Sequence, residues 1–255
     1  MKLSKRWERS SPLILLALIL LLWQLVVSVF AVPEYIFPSP WQIGQQFAEF
    51  KEPLLEAAWK TFWVTLLGFA LSIVVGVLLG FLIGSSRLAY ACMYPLMVAF
   101  NAVPKAAVVP ILVVWFGIGL GPGILTAFLI SFFPITVNIA TGLATLEPEL
   151  EDVLRVLGAR RWDVLVKVGL PRSLPYFYAS LKIAITLAFV GTVLAEMTAG
   201  DSGIGYLMQT AASQQRLPLA FAGLVTIGAM AMAMYELFSY VEKSTTAWAH
   251  RGSQH

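Results

Sequence analysis

DVLRVLGARRWDVLVKVGLP, residues 152–171, is a charged, glycine-centred and proline-terminated island between long apolar segments. Two short amphipathic helical patterns meet at Gly158. Leu150, Val153, Leu154 and Leu157 recur on one side, and Trp162, Leu165 and Val166 on the other, each set at the i, i+3, i+4 spacing of a helix with one apolar face. The opposite face carries Glu151, Asp152, Arg155, Arg160, Arg161, Asp163 and Lys167, a composition suited to docking against a soluble partner rather than to burial in lipid. Gly158 permits a tight turn between the two helices. Pro171 is expected to stop the second and aim the chain into the next apolar segment.

Outward from this island the chain is apolar. Of its 255 residues 59% are hydrophobic and only 12% charged, against about a quarter charged in soluble domains, so it reads as an integral membrane protein. Lipid requires every backbone polar group to be paired within a helix or a closed barrel. No alternating strand pattern is present, which predicts an all-α fold. Six segments, near 12–31, 62–84, 93–116, 123–145, 174–199 and 218–241, reach the roughly 20 apolar residues needed to cross a bilayer.

Charge orients them. Lys2, Lys5, Arg6, Arg9, Arg87, Arg155, Arg160, Arg161, Lys167, Arg172, Lys243 and Arg251 fall on one side, and only Lys51, Lys60 and Arg216 on the other. An excess of Lys and Arg marks cytoplasmic loops, so both termini and residues 146–173 are expected in the cytoplasm. The domain reading is a cytoplasmic start over 1–11, one transmembrane unit over 12–241 and a cytoplasmic tail over 242–255. Topology thus accounts for the net charge of +3 without nucleic acid. Cys92 has no cysteine partner, and His250 and His255 lie in a polar tail with no metal-binding or catalytic company. The first apolar run is longer than the roughly 7–15 residues of a signal core, which favours a retained span.

Between the first two spans, Pro33, Pro38 and Pro40 make an extended connection, and Trp41 to Ala58 reads as a partly amphipathic helix. Trp23, Tyr35, Trp41, Trp59 and Trp63 suit an interfacial aromatic belt. Gly68, Gly76, Gly80 and Gly84 form a small-residue face for close helix approach. The third span contains Pro95, Pro104 and Pro110 and must bend. Ionisable residues inside spans cost on the order of 2.5–3.5 kcal/mol at mid-helix unless partnered, which singles out Lys105 and Glu196. They are read either as groups on a translocation path, with Lys105 admitting an anion, or as a structural Lys–Glu pair or side chains snorkelling towards an interface. Lys182 is expected to snorkel to an interface.

Gly158 followed by nine residues and then Val168-Gly169-Leu170-Pro171 resembles the EAA loop of the membrane subunits of ABC-type importers. Asp152-Val153-Leu154 stands where that family has Glu-Ala-Ala. Val103-Pro104-Lys105, Val109-Pro110-Ile111, Trp115-Phe116-Gly117-Ile118-Gly119, Phe132-Phe133-Pro134-Ile135, Gly142-Leu143, Ala195-Glu196-Met197 and Gly203-Ile204-Gly205-Tyr206-Leu207 are similar to the nitrate/sulfonate/taurine/bicarbonate group of these permeases.

The resemblance implies a type I ABC importer permease fold in a bacterial inner membrane. It implies two permease subunits, here a homodimer, with two cytoplasmic ATPases that hold ATP and Mg, and a periplasmic or lipid-anchored substrate-binding protein. It further implies an ATPase-coupling role for Glu151, Asp152, Arg155, Gly158, Arg160, Arg161, Leu170 and Pro171, and a path along Pro104, Lys105, Pro110 and Glu196 for a small anionic solute. The Thr198–Leu217 segment would then face the binding protein, or serve as a plain connection. No nucleotide-binding G-x-x-x-x-G-K-[ST] loop, metal cluster or catalytic set is present in the sequence, so hydrolysis falls to a partner. Two other classes stay open: an ion-gradient-driven carrier relaying charge through Lys105, Glu196 and Asp201, and a non-transporting membrane scaffold or receptor.

Overall fold

Glycine decides how the central helices meet. The computed structural model of the chain describes residues 5–144, 156–158 and 160–245, and all regular structure among them is helical. Helix α1 spans Lys5–Val29, α2 Pro40–Glu49, α3 Lys51–Gly84, α4 Arg87–Ala102, α5 Val109–Phe116 and α6 Leu120–Ala144. A methyl group placed on Gly68, Gly76, Gly80 or Gly84 of α3 would lie only 2.6, 2.9, 2.8 and 2.8 Å from the Cβ of Ala127, Ile135, Ile139 and Leu143 of α6. Ser72 and Ser131 complete the series with hydroxyls 2.6 Å apart, and, like them, every pair in it is separated by 59 positions in the chain. A constant offset means that α3 and α6 run parallel and in register.

That direction settles the crossing between them. Both helices begin at what we name the Thr61 end of the bundle and finish at the Gly84 end. The chain between Gly84 and Leu120 must therefore return through the full thickness. It does so as a broken span: α4, a 3-10 turn over Lys105–Val108 and α5, with the two halves bent by 74°. The prolines account for the break. Val103, preceding Pro104, is pushed to extended geometry (φ −66°, ψ 128°), and Pro110 opens α5 in the first turn, where its missing N–H is harmless. Pro95 is accommodated inside α4. Gly117 and Gly119, at φ 77° and 135°, turn the chain into α6.

Helix α7 spans Arg161–Val164, a π-helical turn follows over Leu165–Gly169, and α8 runs over Leu170–Ala199. Helix α8 is antiparallel to α6, since Gly142 meets Ser173 and Gly191 meets Ala127. Phe69, Ile135, Ile139, Leu181, Ile185 and Phe189 bury the seam of the three helices. Helix α9 covers Gly203–Ser213 and α10 Leu217–Thr245, and α10 finishes at the Gly84 end.

Two expectations need correction here. Trp41–Ala58 is not one helix. A capping box at Ser39, closed by Gln42, starts α2, Phe50 leaves helical geometry (φ −111°, ψ 31°), and Lys51 onward already belongs to the 34-residue α3. Nor does Trp23 share the aromatic belt of exposed Tyr35, Trp41, Trp59 and Trp63. It is half-buried against Phe37 and Phe221, with centroids 5.2 and 6.3 Å away. Apart from Trp23, half-buried Gln24 and buried Val27, α1 is exposed over most of Leu13–Val29, as a lipid-facing helix should be.

Candidate functional site

The candidate coupling segment is described from Val156 to Gly158 and again from Arg160. The expectations for Glu151, Asp152 and Arg155 lie outside the described residues. Gly158 adopts φ 86°, and a methyl group added to it would meet nothing within 4 Å, so it is a free left-handed turn. Beside it, Val156 and Leu157 present their side chains to solvent, 88% and 77% exposed. Arg160 precedes α7, and its N–H donates to the Asp163 carboxylate at 3.3 Å, half of a capping box. Asp163 also pairs with Lys167 at 3.0 Å. The Lys167 ammonium, with the Arg160 N–H, holds the Asp163 carboxyl below its usual range.

The second amphipathic face differs from the expected one. Val164 is buried (3% exposed) while Val166 is exposed. The π-helical turn, with its wider winding, rotates the face at this point. Pro171 does not stop a helix. It is the second residue of α8, directly after the π-helical turn, so helical chain runs from Arg161, in α7, through Leu170, the first residue of α8, to Ala199 without a break. Pro171 brings no N–H to that winding, so one backbone bond is missing where α8 follows the π-helical turn.

Along the broken span, Pro104 and Pro110 are exposed and α4 buries none of its residues. Val114, Trp115, Phe116 and Ile118 stand 82%, 70%, 60% and 68% exposed. A groove of about 380 Å³ runs between this segment and α6, lined by Phe100, Lys105, Leu112, Trp115, Phe116 and Phe128 among others. Its walls are carbon. The one cation on it, Lys105, donates from Nζ to both oxygens of Asn101 and to the Phe100 carbonyl, and lies 5.8 Å from the Phe100 ring centroid. These acceptors satisfy the ammonium locally and hold it at the groove.

Glu196 lies elsewhere. Among the described residues Lys105 and Glu196 are not paired, which corrects the structural-pair expectation. Glu196 is buried near the end of α8 and accepts from the Thr61 hydroxyl, 2.9 Å from each oxygen, and from the Gly205 N–H at 2.9 Å. The intramembrane Lys–Glu pair that does form is Lys182 with Glu242, at 2.6 Å, joining α8 to α10. Lys182 therefore does not snorkel. A carboxylate within reach, in a half-dry seam, outcompetes extension toward water. The Thr198–Leu217 stretch is not a plain connection either, since α9 fills it and packs its first turn on α8 and α3.

Thr61 carries no local sequence signal, since a threonine inside an apolar helix is ordinary. Its one hint is that Thr61 and Thr65 extend, at four-residue spacing, toward the Gly68–Ser72–Gly76 face.

The profile of the family described as binding-protein-dependent transport system inner membrane component matches residues 72–245. A Haemophilus influenzae protein named as an ABC transporter permease is 34% identical over 228 residues, covering 88% of this chain and 91% of its own. The formylaminopyrimidine transport permease of Halalkalibacterium halodurans is 28% identical over 96% of this chain and 98% of its own. The riboflavin transport system permease of Chloroflexus aurantiacus is 30% identical, with coverages of 95% and 91%. Among solved structures, a chain of the MetNI methionine ABC transporter superposes with a TM-score of 0.68 at 18% identity, over 77% of this chain and 98% of that one. The broken span, the glycine-zippered trio and the helix that grows out of the Gly158 turn are thus parts of a type I ABC importer permease fold, and the chain belongs to the binding-protein-dependent family of ABC transporter permeases.

Proposed function

We propose that two copies of this chain form the translocation path of an ATP-driven importer, facing each other across the broken span. Its exposed surface of Val114, Trp115, Phe116 and Ile118 has no partner within the described chain. The Gly84 end carries the cationic side of the charge count and so faces the cytoplasm. There the segment over 146–173 docks into the ATPase, which holds ATP and Mg. The Thr61 end receives the substrate-binding protein.

The observation that carries this reading is the uninterrupted helical chain from Arg161 to Ala199. At ~1.5 Å per residue it is a rod of about 55 Å. Displacement of the Gly158 turn by closing ATPases is passed along it, because a helix is stiff along its axis. Glu151, Asp152, Arg155, Arg160 and Arg161 supply the polar contacts, and Gly158 the turn. Leu170 and Pro171 lie within the rod, directly after its π-helical turn.

For the solute, the groove favours an organic anion: its apolar walls suit a carbon frame, and one negative group would draw Lys105 away from its Asn101 and Phe100 acceptors. A bare oxyanion such as nitrate or bicarbonate would want several convergent donors, and the described groove offers a single cation. A second reading, a neutral nitrogen heterocycle, draws on the relatives named for formylaminopyrimidine and riboflavin transport.

The test is co-purification and uptake with Gly158→Asp. An aspartate at this free left-handed turn puts a charge and a side chain into the docking surface, so retention of the ATPase and uptake both fall. If Gly158→Asp retains its ATPase and transports normally, the coupling reading is wrong. Lys105→Met reports on the solute: a raised half-saturation concentration supports an anion, and an unchanged one with normal folded protein supports the neutral heterocycle.

A further inference from the structure

The groups around Glu196 perform a task that the transport reading leaves unused. The first N–H groups of any helix lack intrahelical partners, and the N-cap side chain ordinarily accepts from them. In α9 the N-cap residue, Ser202, makes no such bond. Side chains of two other helices replace it. Thr61 of α3 accepts from the Ile204 N–H at 2.8 Å, Glu196 of α8 accepts from the Gly205 N–H at 2.9 Å, and the Thr61 hydroxyl donates to the same carboxylate. Three helices are tied at one buried point.

Backbone approach there is as close as the chain allows. A methyl on Gly205 would sit 2.5 Å from the Val193 carbonyl oxygen, and one on Gly203 would collide with the Glu196 carboxylate. Gly203 also has φ 91°, a conformation other residues resist. A second hydroxyl contact, Thr65 to Thr192 at 2.9 Å, reinforces the α3–α8 seam one turn further in. Parting α9 from α8 would strip the Gly205 N–H of its buried acceptor, a cost above that of losing an exposed hydrogen bond.

We propose that Thr61 and Glu196 are positioning residues that clamp α9 to the far end of α8, so that the outer surface of the permease moves with the coupling segment. The state of the ATPases would then be displayed to the external binding protein by α9, whose Tyr206 and Gln209 are exposed. This rests on the coupling reading above, and the test separates the two.

Spin labels are placed at Tyr206→Cys or at Val166→Cys, in a background with the exposed Cys92 replaced by alanine. Label-to-label distances between the two copies are measured in the permease–ATPase complex, before and after trapping with ATP and vanadate. In the parent both sites shift on trapping. In Thr61→Val the Val166 shift remains and the Tyr206 shift is lost. Thr61→Ser, which keeps the hydroxyl, restores it, and Gly203→Ala, which breaks the clamp sterically, repeats the loss. A Tyr206 shift of parental amplitude in both Thr61→Val and Gly203→Ala overturns the clamp, as does a parent in which Val166 moves and Tyr206 does not. A parent in which Val166 itself stays still overturns the coupling reading, and the clamp's role with it.

Discussion

Replacing Gly68 by alanine puts one methyl group into the tightest point of the α3–α6 seam. The new carbon would lie 2.6 Å from the Ala127 Cβ, 2.7 Å from the Ile124 carbonyl oxygen and 3.3 Å from the Phe128 nitrogen. Two of those three neighbours are backbone, so no rotamer change relieves the overlap. Carbon pairs prefer ~3.5–4.0 Å, and the helices must part locally by about 1 Å, a gap that already forfeits a quarter to a half of the dispersion energy of flanking contacts. Overpacking of this kind costs ~1–3 kcal/mol. At ~2–4 °C per kcal/mol for a chain of this size, the midpoint of thermal unfolding in detergent, followed by the monodisperse fraction on size exclusion, should fall by roughly 2–12 °C.

Gly228→Ala is the matched control, because nothing lies within 4 Å of that position and alanine is the better helix former by ~1 kcal/mol. It should leave the midpoint unchanged or raise it. Adding Ala127→Gly to Gly68→Ala removes one of the two severe overlaps and should recover part of the loss. Equal midpoints for Gly68→Ala and Gly228→Ala would refute the idea that the glycine face is there for close approach.

Two further outcomes are expected. Lys182→Met and Glu242→Gln, each removing one member of a largely buried pair, should both destabilise, by less than the ~3–5 kcal/mol of breaking a fully buried pair, while Lys182→Met combined with Glu242→Leu returns toward the parent in the same thermal assay. Asp163, depressed by Lys167 and the Arg160 N–H, favours the folded segment at pH values above its unfolded pKa and loses that contribution only as pH falls through its lowered folded one. Carbon-detected NMR should therefore place its titration below the ordinary 3.8, with no change between pH 8 and 5, and a midpoint at or above 3.8 would contradict the pairing with Lys167.

Much of the fold was legible in the chain because lipid imposes long apolar runs, and because glycine and proline act locally. Gly68, Gly76, Gly80 and Gly84 announced a close seam, and Pro104 and Pro110 a break. What stayed hidden depends on helix register across long separations. Thr61 meets Glu196 from 135 positions away, and Lys182 meets Glu242 from 60. Nothing near Glu196 distinguishes a carboxylate that caps another helix from one that lines a path. The π-helical turn before Pro171 was equally invisible: one extra residue in a turn leaves the apolar spacing almost intact, yet it exchanges Val164 for Val166 on the buried face. Phe50 ended α2 where amphipathic spacing alone would have carried the helix on.

The shared register of α3 and α6 also divides the chain by its tolerance of length change. A single residue inserted into either helix turns everything beyond it by roughly 100°, which would swing every later glycine off its partner at once. The connection between the two helices is held by packing instead of register: Val109 and Leu112 of α5 are buried, at 0% and 5% exposure. A length change there is expected to disturb α5 without shifting the glycine pairs. The zippered pair thus keeps its frame whatever the length of the chain that joins it.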